Sequence, residues 1–183
     1  SVGSEIWYGS EPPREDLEWR REIDREWRRD AVRGILEGRR GLRLQAASEQ
    51  RAFKVSFTFE PGAVTGARDI GRLLASHGLE ARVIVSHRRF LDVLPRRAGK
   101  GAAVRYLARR WGFPLERVLV AGDSGNDAAM LLLDSPAVVV GNHDPELAPL
   151  RGRDGLHFAR GRAAAGVLEG AEHLGFFADD DAA

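Results

Sequence analysis

The amino-acid sequence predicts an α/β protein in which an open parallel sheet accompanies a smaller α+β layer. Two short runs, residues 118–121 and 137–140, are apolar without interruption and alternate with helical stretches. Such runs are typical of strands buried on both faces of a parallel sheet. A third run, residues 53–59, alternates apolar and polar residues, which indicates a strand with one polar face.

The composition is that of an ordinary folded domain. Of the 183 residues, 43% are hydrophobic, and 28 Lys+Arg against 27 Asp+Glu leave a net charge of +1. So small a charge offers no field that would collect nucleic acid, and we expect no nucleic-acid partner. The sequence has no cysteine, which excludes disulfides and thiolate chemistry within it. No apolar run reaches about 18 residues and no signal peptide is recognised, so we expect a cytoplasmic protein without a membrane partner.

The first part of the chain predicts a short strand and one long helix. Residues 2–8 are apolar and β-prone, and Pro12-Pro13 follows them. Residues 14–38 predict a helix with a solvated charged face, because apolar residues recur there every four positions. The recurring residues are Trp19, Ile23, Trp27, Ala31 and Ile35. We interpret the two tryptophans as core anchors, with a sugar-stacking platform as the alternative.

The remaining elements follow from periodicity and from glycine stop signals. Residues 39–51 are predicted as a loop, 53–59 as a strand, 65–77 as a helix and 82–86 as a strand. A helix begins at Gly99-Lys100-Gly101 and ends at Gly112. Strands at 118–121, 137–140 and 156–159 then alternate with a short helix and with a closing helix at 163–174. The acidic tail from residue 178 is predicted to fray.

One hexapeptide has the composition of a metal or phosphate site. It follows the apolar run 118–121 and is Gly122-Asp123-Ser124-Gly125-Asn126-Asp127. Sites in open α/β sheets form beyond the carboxyl ends of strands, and two hard carboxylates there suit Mg²⁺. The glycines let the backbone approach a ligand, while Ser124 and Asn126 add polar contacts. The alternative is that Asp123 or Asn126 only caps the helix that follows.

Lys100 is a second candidate. It lies between two glycines at a predicted helix start, where a point charge can reach a phosphate without crowding and where the helix N-terminus favours anions. Lys54 is the other lysine of this arginine-rich chain. The alternative is an ordinary surface lysine.

At several points, in the same order, the sequence resembles the haloacid-dehalogenase-type phosphatases. The similar segments are residues 1–6, Lys54-Val55-Ser56, Asp92-Val93-Leu94-Pro95, Gly99-Lys100-Gly101 and residues 118–131 with the hexapeptide. The nearer resemblance is to the sucrose-phosphate phosphatase group, and it runs over most of residues 1–177. The phosphatase-like domain at the carboxyl end of sucrose-phosphate synthases is similar as well, and mannosyl-phosphoglycerate phosphatases share much of the pattern.

The resemblance implies a fold and a division of the chain. The fold is an incomplete doubly wound parallel-sheet core of the haloacid-dehalogenase type with an inserted α/β cap domain. The division is a core segment at 1–13, the cap at 14–95, the carboxyl-terminal half of the core at 96–177 and a tail at 178–183.

The resemblance also implies a chemistry. Such enzymes attack a phosphate ester with an aspartate and pass through an aspartyl-phosphate, while Mg²⁺ and a lysine neutralise the transferring group. Lys100 matches the phosphate-orienting lysine, Asp123 the direct metal ligand and Asp127 its supporting carboxylate. Gly122, Ser124 and Asn126 match the loop that contacts phosphate or water. The candidates for contact with the sugar phosphate are Lys54, Ser56 and Glu5, with a solvent-facing strand surface as the alternative for the first two.

The family's nucleophile motif, an apolar strand ending in Asp-x-Asp, is missing from these 183 residues. The Asp-x-Asp at Asp179-Asp180-Asp181 stands at the end of the sequence with no helix after it, and we reject it. We therefore expect the isolated chain to be inactive. Three interpretations stay open: a fragment of a Mg²⁺-dependent sugar-phosphate phosphatase acting on sucrose 6-phosphate, the tail of a sucrose-phosphate synthase, or a non-catalytic module that binds a sugar phosphate or a partner.

Overall fold

The computed structural model describes residues 2–9, 11–60 and 66–177. The chain forms two compact units, residues 1–103 and 104–183. Among the described residues, no helix has the length and apolar character needed to cross a bilayer. The predicted tail and the rejected Asp-x-Asp at 179–181 lie outside the described residues. The predicted division at residues 13, 95 and 177 stays a prediction.

The first unit is built on an antiparallel sheet. Four strands pair in the order β3-β4-β6-β5, and a separate two-stranded hairpin pairs β1 with β2. The strands are β1 (Trp7–Tyr8), β2 (Arg14–Glu15), β3 (Leu42–Leu44), β4 (Val55–Phe59), β5 (Ala81–Ser86) and β6 (Phe90–Pro95). The helices are α1 (Leu17–Asp24), α2 (Arg29–Leu36) and α3 (Ala67–Ser76), and α4 (Lys100–Trp111) begins at the end of this unit.

Helices α2 and α3 share one apolar core with this sheet. The buried members of the core are Val32, Leu36, Leu42, Val55, Phe57, Ile70, Leu74, Leu79, Leu91 and Val93. Burying each large aliphatic side chain stabilises the fold by about 1.5–3 kcal/mol. The apolar residues of β4 therefore face the helices, as its alternating sequence predicts.

The single helix predicted over residues 14–38 is wrong. Residues 14 and 15 form β2, and Asp16 then caps α1 by accepting hydrogen bonds from the backbone N–H groups of Glu18 (3.0 Å) and Trp19 (2.9 Å). The helix ends at Asp24, because Glu26 takes a left-handed conformation with φ 66°. A four-residue periodicity does not reveal such a break, since charged residues suit a turn as well as a helix.

The break rotates the buried face of the second helix. Val32 and Leu36 are buried on α2, whereas Ala31 is exposed. Ile35 is partly buried against the same core, so the predicted stripe continues past the turn only in part. Trp19 is 2% exposed, in agreement with a core anchor. The indole N–H of Trp27 donates to the Ala52 carbonyl at 2.9 Å.

The other elements of the first unit match in part. The strand predicted at 2–8 is limited to β1, and the loop predicted at 39–51 contains β3. Strand β6 was not predicted, although its buried apolar residues alternate around Asp92. Strand β5 is confirmed. Helix α3 begins at Ala67, and Thr65, the predicted start, lies outside the described residues.

The second unit contains a parallel sheet in the order β7-β8-β9. Its elements are β7 (Val120–Gly122), α5 (Ala128–Leu131), β8 (Ala137–Val139), β9 (Leu156–Phe158) and α6 (Ala163–His173). Strand β7 begins later than predicted, because Val118 closes a short 3₁₀ turn through a hydrogen bond to the Leu115 carbonyl. The other predicted elements of this unit are confirmed within one residue. All three strands run in the same direction, so the loops after them lie together at the carboxyl-terminal edge of the sheet.

Candidate phosphate and metal site

The loop after β7 is held in shape by one of its own carboxylates. Asp127 is buried, and its Oδ2 accepts the backbone N–H groups of Asp123 (3.0 Å) and Ser124 (3.3 Å). A Cβ atom added to Gly122 would lie 2.4 Å from the Asp127 Cβ. Only glycine at this position lets the carboxylate reach across the turn. The cap predicted at Asp123 or Asn126 is wrong, because Ser124 and Asp127 form the capping box of this turn.

Asp123 is left exposed by this arrangement. Its backbone carbonyl accepts the Asp144 N–H at 2.7 Å, which ties the loop to the one after β8. Within residues 2–9, 11–60 and 66–177 its carboxylate has neither a hydrogen-bond nor an ion-pair partner. A carboxylate on a fixed backbone and open to water is available to a ligand.

The donor set of this loop fits Mg²⁺ in part. No group of three or more His, Cys, Asp or Glu suited to a metal occurs among the described residues. Mg²⁺ is nevertheless commonly bound by one or two carboxylates together with substrate phosphate and water. Asp123 offers one such carboxylate, and Asp127 would support it through the backbone. Ser124 is buried in the same turn and Asn126 is partly buried.

Lys100 begins helix α4 in the first unit, and its surroundings explain the glycines near it. Gly3 has φ 84°, and a Cβ there would lie 2.2 Å from the Gly99 carbonyl carbon. The Gly99 N–H donates to the Gly3 carbonyl at 3.3 Å, and the Gly99 carbonyl accepts the Ala103 N–H at 2.9 Å. The segment around Gly3 therefore supports the first turn of the helix. Lys100 itself is partly buried at that turn.

Lys54 and Ser56 lie together around Asp92 on the sheet of the first unit. The Ser56 hydroxyl donates to Asp92 Oδ1 at 2.6 Å, and the Lys54 Nζ lies 3.7 Å from the same oxygen. Ser56 is fully buried, so the alternative of a solvent-facing strand surface does not hold for it. Glu5 Oε1 lies 4.0 Å from the Arg51 Nε. We call the three residues Lys54, Ser56 and Asp92 the cap-sheet cluster.

Sequence reasoning missed several polar groups near these residues. The sequence pattern assigns Asp92 no role of its own, although an acid between buried apolar neighbours on a strand is a usable signal. Ser4, next to Gly3, is 1% exposed, and its hydroxyl has no hydrogen-bond partner among the described residues. Asp144 acts through its backbone N–H, which no side-chain pattern reveals.

Comparisons with known proteins identify the family of this chain. The family model for sucrose-6F-phosphate phosphohydrolase matches residues 1–175. The chain belongs to this family. A curated relative, mannosylfructose-phosphate phosphatase of Agrobacterium fabrum, is 35% identical over 74% of this chain and 55% of its own length. Sucrose-phosphatase 1 of Nicotiana tabacum is 34% identical over 95% of this chain and 43% of its own length. The chain thus spans about half the length of the curated phosphohydrolase relatives it matches.

The fold of the phosphohydrolase family is also found among solved structures. The sucrose-phosphatase of Synechocystis sp., solved in complex with sucrose and phosphate, superposes with a TM-score of 0.88 at 31% identity, over 94% of this chain and 71% of that one. A haloacid-dehalogenase-like hydrolase of Bacillus subtilis gives a TM-score of 0.59 at 18% identity, which shows the fold alone. The predicted fold class, a haloacid-dehalogenase-like α/β core with an α/β cap, is confirmed.

Proposed function

We propose that this chain supplies the lysine and the metal-binding loop for Mg²⁺-dependent hydrolysis of a sugar phosphate. The observation that carries the proposal is the loop after β7, in which buried Asp127 fixes the backbone of Asp123 and leaves the Asp123 carboxylate exposed. The family match over residues 1–175 supports phosphate-ester hydrolysis as the reaction class. Sucrose 6-phosphate is the first substrate to test, and a mannosylfructose phosphate is the second.

Each residue has a separate task in this proposal. Bound Mg²⁺ would neutralise charge on the phosphoryl group. Asp123 would bind the metal, and Asp127 would keep the backbone of the loop in place around Asp123. Lys100 would place a positive charge on the phosphate, supported by the N-terminus of a 12-residue helix.

The cap-sheet cluster is proposed to meet the sugar. Ser56 donates a hydrogen bond to Asp92, so the Asp92 carboxylate is oriented before any ligand arrives. Lys54 shares that carboxylate and keeps further donors for sugar hydroxyls, since an ammonium has three N–H groups. In this arrangement Ser56 positions its partners without needing to reach the ligand. Glu5, paired with Arg51, is the remaining candidate for a sugar contact.

Binding without hydrolysis is the second candidate function for the isolated 183-residue chain. No apolar strand ending in Asp-x-Asp occurs in its sequence, and the family resemblance assigns the nucleophile to such a motif. We expect the purified chain to release no phosphate from sucrose 6-phosphate in Mg²⁺. Mg²⁺-dependent release above the level of an Asp123→Asn chain would contradict this.

The binding proposal is tested by ¹⁵N-NMR titration of the chain with Mg²⁺, then with sucrose 6-phosphate, sucrose and inorganic phosphate. We expect Mg²⁺ to shift the amide signals of residues 123–127 and sucrose 6-phosphate to shift those near Lys100. Asp123→Asn and Lys100→Ala abolish the respective shifts, while Asp134→Asn, an exposed carboxylate outside the loop, leaves both intact. Equal responses in Asp123→Asn and the unaltered chain would overturn the metal assignment.

A further inference from the structure

Glu169 on helix α6 accepts hydrogen bonds from the backbone of the loop after β9. Glu169 Oε2 accepts the Gly161 N–H at 2.7 Å, and its two oxygens accept the Arg160 N–H at 3.0 and 3.1 Å. His157 Nε2 lies 3.2 Å from Oε1. The side chain therefore holds two consecutive backbone amides at the carboxyl edge of the parallel sheet, the edge that also carries Asp123.

The negative charge of Glu169 strengthens these hydrogen bonds. Hydrogen bonds from the Arg160 and Gly161 backbone, followed by that from His157, lower its pKa from 4.5 to about 2. The group is a carboxylate throughout the neutral range. Hydrogen bonds to an ionised acceptor are roughly twice as strong as neutral ones.

The loop after β9 is connected to Asp123 through the loop after β8. The Gly161 carbonyl accepts the Gly141 N–H at 2.7 Å, and the Asn142 Oδ1 accepts the Ala163 N–H at 2.7 Å. Three residues past Gly141, the Asp144 N–H donates to the Asp123 carbonyl at 2.7 Å. All of these contacts lie within the second unit, and together they join three edge loops into one hydrogen-bonded row.

We propose that Glu169 is a positioning residue that fixes the backbone of Asp123 through the loops at 160–161 and 141–144. The inference rests on the proposed function of Asp123 as a metal ligand. Asp127 holds the amide side of the Asp123 peptide, and the row from Glu169 holds its carbonyl side. A ligand whose backbone is fixed at both ends presents its carboxylate in one direction, which lowers the entropy lost when a metal binds.

Substituting Glu169 with glutamine tests this row without removing bulk. The glutamine side chain keeps one acceptor oxygen, but an NH2 donor takes the place of the second carboxylate oxygen. That donor would face a backbone N–H group. The matched control is Glu172→Gln on the same helix, where the side chain is exposed. Two quantities are measured on the full chain: hydrogen exchange of single amides, and the Kd for Mg²⁺ from the shifts of residues 123–127.

We expect Glu169→Gln to accelerate exchange of the Gly141 and Asp144 amides about tenfold and to raise the Kd for Mg²⁺ about 3- to 10-fold. Loss of a residue that hydrogen-bonds to a metal ligand typically lowers metal affinity 10–100-fold. We expect a smaller effect here because Glu169 acts on Asp123 through two loops. The Val120 amide, which donates to the Pro136 carbonyl at the other end of the sheet, keeps its exchange rate. Glu172→Gln changes none of these.

Two results would overturn the inference. One is an unchanged Asp144 exchange rate in Glu169→Gln. The other is equal acceleration at Asp144 and Val120, because that would mean a general loss of stability instead of a local one. A failure of the proposed function is seen separately, as an unaltered chain whose residues 123–127 do not respond to Mg²⁺. In that case the exchange rates still decide whether Glu169 holds the Asp123 backbone.

Discussion

The two units surround a carboxylate in different ways. In the first unit, Asp92 lies on a central strand of an antiparallel sheet and is met by side chains, the Ser56 hydroxyl at 2.6 Å and the Lys54 ammonium at 3.7 Å. In the second unit, Asp127 lies in a loop after a parallel strand and is met by two backbone N–H groups. One carboxylate thus organises neighbouring side chains, and the other organises the chain itself.

This difference follows from the geometry of the two sheets. Directly opposed residues on antiparallel strands have Cβ atoms about 4.5–5.5 Å apart, so side chains such as Ser56 and Asp92 meet across the ladder. At the edge of a parallel sheet the strands have ended and free backbone amides are exposed, so a short acidic side chain binds them. The first arrangement orients a carboxylate through neighbouring side chains. The second leaves a neighbouring carboxylate, Asp123, open for a cation.

The largest expected effect separates the two carboxylates by metal binding. Asp123→Asn weakens Mg²⁺ binding at least about tenfold, since it removes the exposed anionic oxygen donor. Asp92→Asn, in the other unit, leaves the affinity unchanged. Isothermal titration with Mg²⁺ measures both. Equal affinities for the two variants would contradict the assignment of the cation to the second unit.

A second variant tests whether the Asp127 turn requires a bare backbone. Gly122→Ala places a methyl group 2.4 Å from the Asp127 Cβ, where only a shift of the loop relieves the overlap. We expect it to lower the free energy of unfolding by about 3 kcal/mol, as overpacking with a backbone shift does. Gly34→Ala on α2 is the control, because a Cβ there has nothing within 4 Å. That control should gain about 0.5–1 kcal/mol. Urea unfolding of the two variants compares them, and equal midpoints would show that the loop yields easily.

A third variant tests the side-chain cluster in the first unit. Ser56→Ala removes the donor from Asp92, whose side chain is 13% exposed, and should cost about 1–2 kcal/mol of stability. Ser76→Ala serves as the control, since Ser76 is exposed on α3 and should change stability by about 0.5 kcal/mol or less. Thermal unfolding of both variants measures the difference. Equal values would mean that water or Lys54 replaces the lost hydroxyl.

The smallest expected effect is a dependence on pH in the second unit. The folded pKa of Glu169, about 2, lies below its ordinary value of 4.5 because backbone N–H groups bind the charged form. As the pH falls, Glu169 is therefore protonated in the unfolded chain before it is protonated in the folded one. The stabilisation is complete above about pH 4.5 and is lost as the pH falls toward about 2. Glu169→Gln should flatten the melting temperature over this window, while Glu172→Gln keeps the slope. A parallel slope in both variants would assign the effect to other carboxylates.

Sequence patterns predicted the second unit better than the first. An apolar run such as 137–140 has one reasonable interpretation, and β8 occupies it. The charged stretch 14–38 suits a helix almost everywhere. The start of α1 is set by the local cap at Asp16, and the turn at Glu26 is a break that no periodicity records. Strand β6 was missed because Asp92 interrupts its apolar run, and its partner Ser56 lies 36 positions away in sequence.

The candidate site could be predicted from the sequence where the residue types themselves indicate a ligand. The hexapeptide shows its two acids and its glycines directly, and the structure adds that Asp127 holds the turn and leaves Asp123 exposed. The part that could not be predicted is carried by the backbone. The Asp144 N–H and the amides held by Glu169 belong to residues whose side chains give no signal for these contacts.

The contact between Gly3 and Gly99 has a consequence for how this architecture varies. The chain leaves Gly3 and returns to it at Gly99, so the intervening segment is a closed excursion whose two ends share a hydrogen bond. Doubling the length of a flexible excursion costs only about 0.6 kcal/mol in closure entropy. A segment of different length can therefore be exchanged between these two glycines while the first turn of the lysine-bearing helix keeps its support. Recombination at that junction would therefore change the intervening segment and leave the start of α4 as it is.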